Sequence, residues 1–392
     1  MSSDQKHPKK ISTQSFPSNF YWGSATASYQ VEGGIFNTDW ADFAEEGKVP
    51  ICDKATDHYN RFESDFDLAK SLGHNAYRLS IEWARIEPED GEFNMGEIEH
   101  YRKVMQELKK RGIEPFVTLW HFTQPTWFAK KGGFKNKKSP EIFARYAQFV
   151  IENLGQEARF WITMNEPLVF AANGYLKGVW PPFELSIYNF LKVFNNLVRA
   201  HCVAYELIKK ANPLCEIGVA KHNIYFTSNK NPFNIVLAKI SKWFWNRRFI
   251  HLIRNHQDFI GLNYYFYKRY GGNGPLPKSD MGWDIYPEGL YYCLKELSIY
   301  KKPLYVTENG LADAEDAQRA EFINDSLRNV HRAISDGADV RGYLYWSLLD
   351  NYEWMYGFTQ RFGLISVDYE TLKRTIRPSA YVYKDIIDNN AV

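Results

Sequence analysis

Hydrophobic and polar positions along this chain follow two periods in alternation. Short apolar or aromatic runs recur, and between them charged residues fall at helical spacing around an apolar stripe, the pattern of alternating β and α units. Eight runs predict strands: Phe20 to Ala27, Asn75 to Ile81, Pro115 to Trp120, Phe160 to Met164, Ile217 to Ala220, Phe259 to Asn263, Leu304 to Thr307 and Gly342 to Trp346. Glu97 to Arg111 and Asp316 to Asp336 predict outer helices. Strand starts lie about forty to sixty residues apart, room for a strand, a loop, a helix and a return, and more than a minimal barrel needs. The pattern therefore predicts an α/β fold, a single (β/α)8 TIM barrel with extended βα loops. No Pro/Gly/Ser linker divides the chain, so residues 16–392 read as one barrel domain behind a polar, basic tail, 1–15, expected to be disordered.

The strand ends carry the chemistry. Glu166 follows the run Phe160-Trp161-Ile162 and Glu308 follows Leu304-Tyr305-Val306, 142 residues later. Only a fold that gathers strand ends on one face brings such residues together, and a barrel places catalytic groups at the carboxyl ends of its strands. Seven of the eight ends supply polar or aromatic side chains. These are Gln30, Arg78, Trp120 with His121, Asn165 with Glu166, Asn263 with Tyr265, Glu308, and Trp346 followed by Glu353 and Trp354. Any one of them alone reads as a structural histidine or a core tryptophan. Together, an arginine, three glutamates, a histidine and two asparagines at one end of a barrel are hard to explain as packing, because buried unpaired charge is costly.

Composition narrows the class. With 48 Lys+Arg against 46 Asp+Glu the net charge is +2, so no global field points to nucleic acid or to an acidic partner. Aromatic residues make up 17% of the chain and offer flat faces with polar edges, on which sugar rings stack. Cys52, Cys202, Cys215 and Cys293 have neither paired nor metal-type spacing, which argues against a disulfide framework and a zinc site and for a reducing compartment. No apolar run approaches the ~18 residues of a membrane span, and no signal-peptide core follows the basic N-terminus. The expectation is a cytoplasmic protein with a small-molecule ligand, no cofactor, no metal, no nucleic acid and no integral membrane contact. Homo-oligomerisation is left open.

The chain resembles glycoside hydrolase family one, the β-glucosidase family, from about Phe16 to about Ile387. The matching segments are Phe20-Tyr21-Trp22-Gly23 with Gln30-Val31-Glu32-Gly33, Tyr77-Arg78-Leu79-Ser80-Ile81-Glu82-Trp83, Thr163-Met164-Asn165-Glu166-Pro167, Gly261-Leu262-Asn263-Tyr264-Tyr265, Val306-Thr307-Glu308-Asn309-Gly310, and Trp346 through Trp354. The resemblance implies a retaining β-glycosidase acting on a β-glycoside or oligosaccharide, with Glu166 as acid/base and Glu308 as nucleophile. It implies that Gln30, His121, Asn165, Glu353 and Trp354 hold the non-reducing sugar over Trp346, and that Arg78, Asn263 and Tyr265 support the nucleophile. The chemistry accounts for these types. Two carboxyl groups ~5–5.5 Å apart allow one to attack the anomeric carbon while the other protonates the leaving oxygen. The charge of the first raises the pKa of the second.

Two departures stand out. Phe122 follows His121 where many members of the family carry tryptophan, and residues 222–256, after the fifth strand, are short for the family. Within them Ile235 to Arg248 mixes an apolar stripe with bases; packing on its own barrel is the expectation, an interfacial amphipathic helix the alternative. Competing activities are a 6-phospho-β-glycosidase, for which the acid Glu353 is a poor phosphate receptor, a transglycosidase, and a non-catalytic, lectin-like barrel. The last typically lacks one of the two carboxylates.

Overall fold

The computed structural model describes residues 14–272 and 274–392. Its barrel strands are β1 Tyr21–Ala25, β2 Ala76–Ser80, β3 Glu114–Thr118, β4 Phe160–Asn165, β5 Glu216–Ser228, β6 Ile260–Tyr270, β7 Leu304–Asn309 and β8 Val340–Trp346. All pair in parallel and in sequence order, and β1 closes the barrel against β8, with Tyr21 opposite Gly342 and Ala25 opposite Trp346. Parallel strands covered on both faces read as continuous apolar runs, which is why each predicted run falls on a strand.

The barrel interior is plugged by aromatic rings. Phe116 and Phe160 stack with centroids 4.2 Å apart, and Tyr305 lies 5.2 and 5.4 Å from them. Toward the carboxyl ends the interior becomes polar through Arg78, Asn165, Asn263 and Glu308. Register irregularities make that switch. In β4 Ile162 packs in the aromatic plug and in β7 Tyr305 does, yet the site residues Asn165 and Glu308 each lie three positions further on. Strict alternation would send them to the opposite face. Register shifts between Ile162 and Asn165 and between Val306 and Asn309 restore the inward direction, the way a bulge re-aims a side chain. Past β7 the turn passes so close to β8 that a Cβ on Gly310 would sit 1.8 Å from the Trp346 carbonyl oxygen, so only glycine fits.

The outer helices form close to the predicted bounds, the first starting two residues before Glu97 and ending one before Arg111, the second shorter at both ends. Met95–Lys110 buries Ile98, Tyr101, Val104, Met105 and Leu108, and Asn94 caps it by accepting the Gly96 N–H at 2.9 Å. The second helix, expected from Asp316, runs from Arg319 to Ser335. Asp313 accepts the backbone N–H groups of Gln318 and Arg319 at 2.8 and 2.9 Å, and Asp316 has φ 58°, so the helix cannot start earlier.

β5 and β6 run well past the predicted Ala220 and Asn263. Beyond the rim they continue as a two-stranded ribbon, Ile224 opposite Phe266 and Ser228 opposite Tyr270, which carries the helical excursion 232–253. The expectation that this excursion packs on its own barrel holds for only part of it. Phe244 lies 6.1 Å from Phe190, while Phe233, Val236, Ile240 and Trp243 are exposed.

The expected tail lies outside the described residues except for Gln14 and Ser15. Gln14 exchanges two 3.1 Å backbone hydrogen bonds with Val392, and Ser15 bridges Ala391, so these two residues are ordered where a disordered tail was expected. Among the described residues no helix is long and apolar enough to cross a membrane.

Candidate active site

The carboxyl ends of the strands open into a cavity of about 630 Å³, within the range of small-molecule sites. Gln30, His121, Asn165, Glu166, Tyr265, Glu308, Trp346, Glu353 and Trp354 line it. Arg78 and Asn263, the other two site residues read from the sequence, are buried beneath it and bonded to those above. All eleven are therefore brought together. Glu166, Phe122 and Trp354, from three different loops of the site, have φ of 43°, 74° and 48°. Such left-handed geometry costs non-glycine residues of order 1–3 kcal/mol each and collects at functional sites.

The two carboxyl groups share one hydrogen-bond network. Arg78 Nη1 donates to Glu308 Oε1, its Nη2 donates to Asn165 Oδ1 at 2.7 Å, and its Nε donates to Thr118 at 3.1 Å. Tyr265 donates its hydroxyl to Glu308 Oε2 at 2.9 Å. Asn263 donates one amide hydrogen to Glu166 Oε1 at 2.9 Å and the other to Asn165 Oδ1 at 3.0 Å. Burial raises the pKa of both glutamates. For Glu308 the Arg78 charge and the bonds from Arg78 and Tyr265 oppose that rise. Glu166 is pushed up to about 8, by burial first and by the charge of Glu308 second. The first proton to leave the pair thus belongs to Glu308, and Glu166 keeps its own near neutral pH.

A chain of donors fixes the histidine beside them. Asn165 Oδ1 is saturated by two donors, so its Nδ2 donates to His121 Nε2 at 3.1 Å. Burial and the Arg78 charge push the His121 pKa well down, so the ring is neutral with its proton on Nδ1, an atom buried without a partner. Gln30 donates to Asn351 and to the Tyr352 carbonyl, at 2.9 and 2.7 Å, which leaves its Oε1 unpaired. Glu353 Oε2 is also unpaired, and its pKa is raised to about 8 by burial and then by Glu308. Unpaired buried polar atoms are rare in folded proteins, and here they ring the end of the cavity that Trp346 and Trp354 flank. Bidentate bonds from Arg377 to Asp350, 2.9 and 3.0 Å, hold the loop that carries Glu353 and Trp354.

The other end is apolar, with Val179, Ile224, Phe266, Met281 and Trp283 in its walls. Phe122 packs edge-on to Trp180 at 4.9 Å and to Trp354 at 5.2 Å. Several of these residues escape the sequence reading. His222 comes from β5, Trp245 from the excursion that follows it, and Trp180, Lys177 and Trp283 from loops without a motif. Lys221 is fully buried, donates to the His222 carbonyl and has its pKa drawn down to about 7 by burial, against the pull of Glu166. A charged residue inside an apolar strand run was its available signal. Among the described residues no group of three or more His, Cys, Asp or Glu side chains is arranged to hold a metal ion.

Comparison with known proteins gives the family. A sequence model of glycosyl hydrolase family 1 matches residues 12–253 and 246–392. A 1,4-beta-D-glucan glucohydrolase of Thermotoga neapolitana is 35% identical over 439 aligned positions, which cover 96% of this chain and 99% of the relative. A 6-phospho-beta-galactosidase of Staphylococcus aureus is 31% identical, with 97% of this chain and all of the relative covered. Among solved structures, a beta-glycosidase from Pyrococcus horikoshii superposes with a TM-score of 0.92 at 39% identity, over 97% of this chain and 96% of that one. The chain belongs to glycosyl hydrolase family 1.

Proposed function

We propose that this protein is a retaining β-glucosidase that releases terminal β-D-glucosyl residues by double displacement, with Glu308 as nucleophile and Glu166 as acid/base. The observation that carries the reading is the unequal surroundings of the two carboxyls: an arginine and a tyrosine hydroxyl bond Glu308 and oppose the effect of its burial, while Glu166 is lifted to about 8. An ionised carboxylate attacks the anomeric carbon while a protonated one delivers its proton to the departing oxygen. When Glu308 becomes a glycosyl ester its charge disappears, the pKa of Glu166 falls, and Glu166 takes the proton of the incoming water.

Arg78 and Tyr265 orient the nucleophile, and Asn263 orients the acid. The second hydrogen of the Asn165 amide is free for the sugar 2-hydroxyl, a contact that strengthens as the ring becomes oxocarbenium-like. The unpaired His121 Nδ1–H, Gln30 Oε1 and Glu353 Oε2 bind further hydroxyls, with Trp346 as the stacking face. Residues 16–392 act as one catalytic domain. The four cysteines are all free thiols, which supports a reducing, cytoplasmic setting; the exposed Phe233, Val236, Ile240 and Trp243 leave room for self-association.

The test is covalent trapping. Incubation with 2-deoxy-2-fluoro-β-D-glucosyl fluoride should add one glycosyl mass per chain, on the peptide that contains Glu308. Labelling of another residue would overturn the assignment.

A further inference from the structure

His222, at the top of β5, lines the apolar end of the cavity and takes no part in the two-carboxylate chemistry. Its ring is held on one edge: the Trp245 indole N–H donates to Nδ1 at 3.1 Å. An indole nitrogen only donates, so Nδ1 is the bare acceptor. Burial, with the Lys221 and Lys177 charges, pushes the imidazole pKa well down. A neutral imidazole with Nδ1 bare carries its proton on Nε2. That atom is buried and has no partner.

The ring is also wedged. Trp245 meets it edge-on at 5.9 Å, Phe266 packs at 5.3 Å, and Tyr265, which bonds the Glu308 carboxylate, lies parallel at 6.5 Å. It cannot swing to another partner without breaking these contacts. The arrangement repeats that of His121, where Asn165 takes one ring nitrogen and leaves the other as an unpaired N–H at the cavity wall. Two neutral histidines with fixed tautomers thus flank the carboxyl pair. One stands among the polar groups near Trp346, the other at the apolar end.

We propose that His222 is a specificity-determining residue, its Nε2–H donating to an oxygen of the leaving group, so that the protein favours β-glucosides whose leaving group is itself a sugar. The proposal rests on the β-glucosidase reading and deepens it. An oxygen-bearing leaving group satisfies the buried N–H, whereas a hydrocarbon leaving group leaves it unpaired, and a missing partner for a buried donor is what a polar site discriminates against. The helical excursion 232–253 acquires a purpose, because it delivers the Trp245 that selects the tautomer.

The experiment compares cellobiose with phenyl β-D-glucoside as the ratio of kcat/KM. His222→Phe, which keeps a ring and removes the donor, should lower the ratio about tenfold, the loss of one hydrogen bond. His222→Gln, which restores a donor, should recover most of it; a merely structural histidine would not be rescued in the ratio. Nitrogen-15 NMR of labelled protein should find Nε2 protonated in the wild type and a mixture of tautomers in Trp245→Phe. A ratio unchanged in His222→Phe, with the wild type hydrolysing both substrates, overturns this inference alone. A wild type that hydrolyses neither overturns the β-glucosidase reading and this inference with it.

Discussion

Asn263 donates to Glu166 Oε1 at 2.9 Å and accepts the hydroxyl of Thr307, the residue before Glu308, at 2.7 Å. One amide thus ties the acid to the strand that carries the nucleophile. Its bond to Glu166 pulls against the rise caused by burial and by Glu308. Asn263→Ala should move the alkaline limb of the kcat/KM profile to higher pH and lower kcat about 10- to 100-fold on poor leaving groups, through a misplaced proton donor. A pH–rate profile on phenyl and dinitrophenyl β-glucosides checks both effects; an unmoved limb would detach Asn263 from the acid.

The wild-type profile itself is the second prediction. Glu166 must be protonated for the first step and its pKa is raised to about 8, so kcat/KM should hold through neutrality and fall as pH rises through about 8. In Glu166→Gln, assayed with a dinitrophenyl leaving group that needs no proton, that limb should vanish. Persistence of the limb would assign it to Glu353, whose pKa is also raised to about 8.

How much of this was legible in the sequence follows from which interactions are local. The strands were readable because both faces are buried, and the eleven candidate site residues because they follow strand ends, ten of them in long motifs. The inward turn of Asn165 and Glu308 was not, since it depends on register shifts between neighbouring strands that alternation within one strand does not encode. Nor was the overrun of β5 and β6, whose ribbon is specified by cross-strand pairs such as Tyr225 with Tyr267, 5.8 Å apart. His222 and Trp245 stand 23 residues apart in no motif, and only the folded excursion makes them partners.

Substrate selection at the far end of the pocket gives the third prediction. Lys177 is the cation in the described wall, and its charge acts on His222 rather than on Glu353. A 6-phosphate beside Glu353 would find no compensating charge and would repel the carboxylate or be poorly solvated against its acid form. Aryl β-glucoside should therefore be cleaved far better than its 6-phosphate, and Glu353→Ser should lower kcat/KM on the neutral substrate about 10- to 100-fold while narrowing the discrimination. An unchanged ratio of the two specificity constants would remove Glu353 from sugar recognition.

The fourth prediction concerns the support of that loop. Asp350 is fully buried and takes both its bidentate bonds from Arg377. Asp350→Ala strands a buried guanidinium and should cost about 3–5 kcal/mol, seen as a lower thermal midpoint, with a raised KM where Glu353 and Trp354 lose their anchor. Stability and KM that both match the wild type would show that the pair does not hold the loop.

The division of labour between Glu166 and Glu308 is tested most directly by the anomeric configuration of one product. Glu166→Ala should still form the glycosyl ester from a dinitrophenyl β-glucoside, and azide should enter the space left by the carboxyl and attack from the same face. Proton NMR of the product should show β-glucosyl azide, formed at a rate that rises with azide concentration. An α-azide, or no acceleration by azide, would contradict the assignment of Glu166 as acid/base and Glu308 as nucleophile.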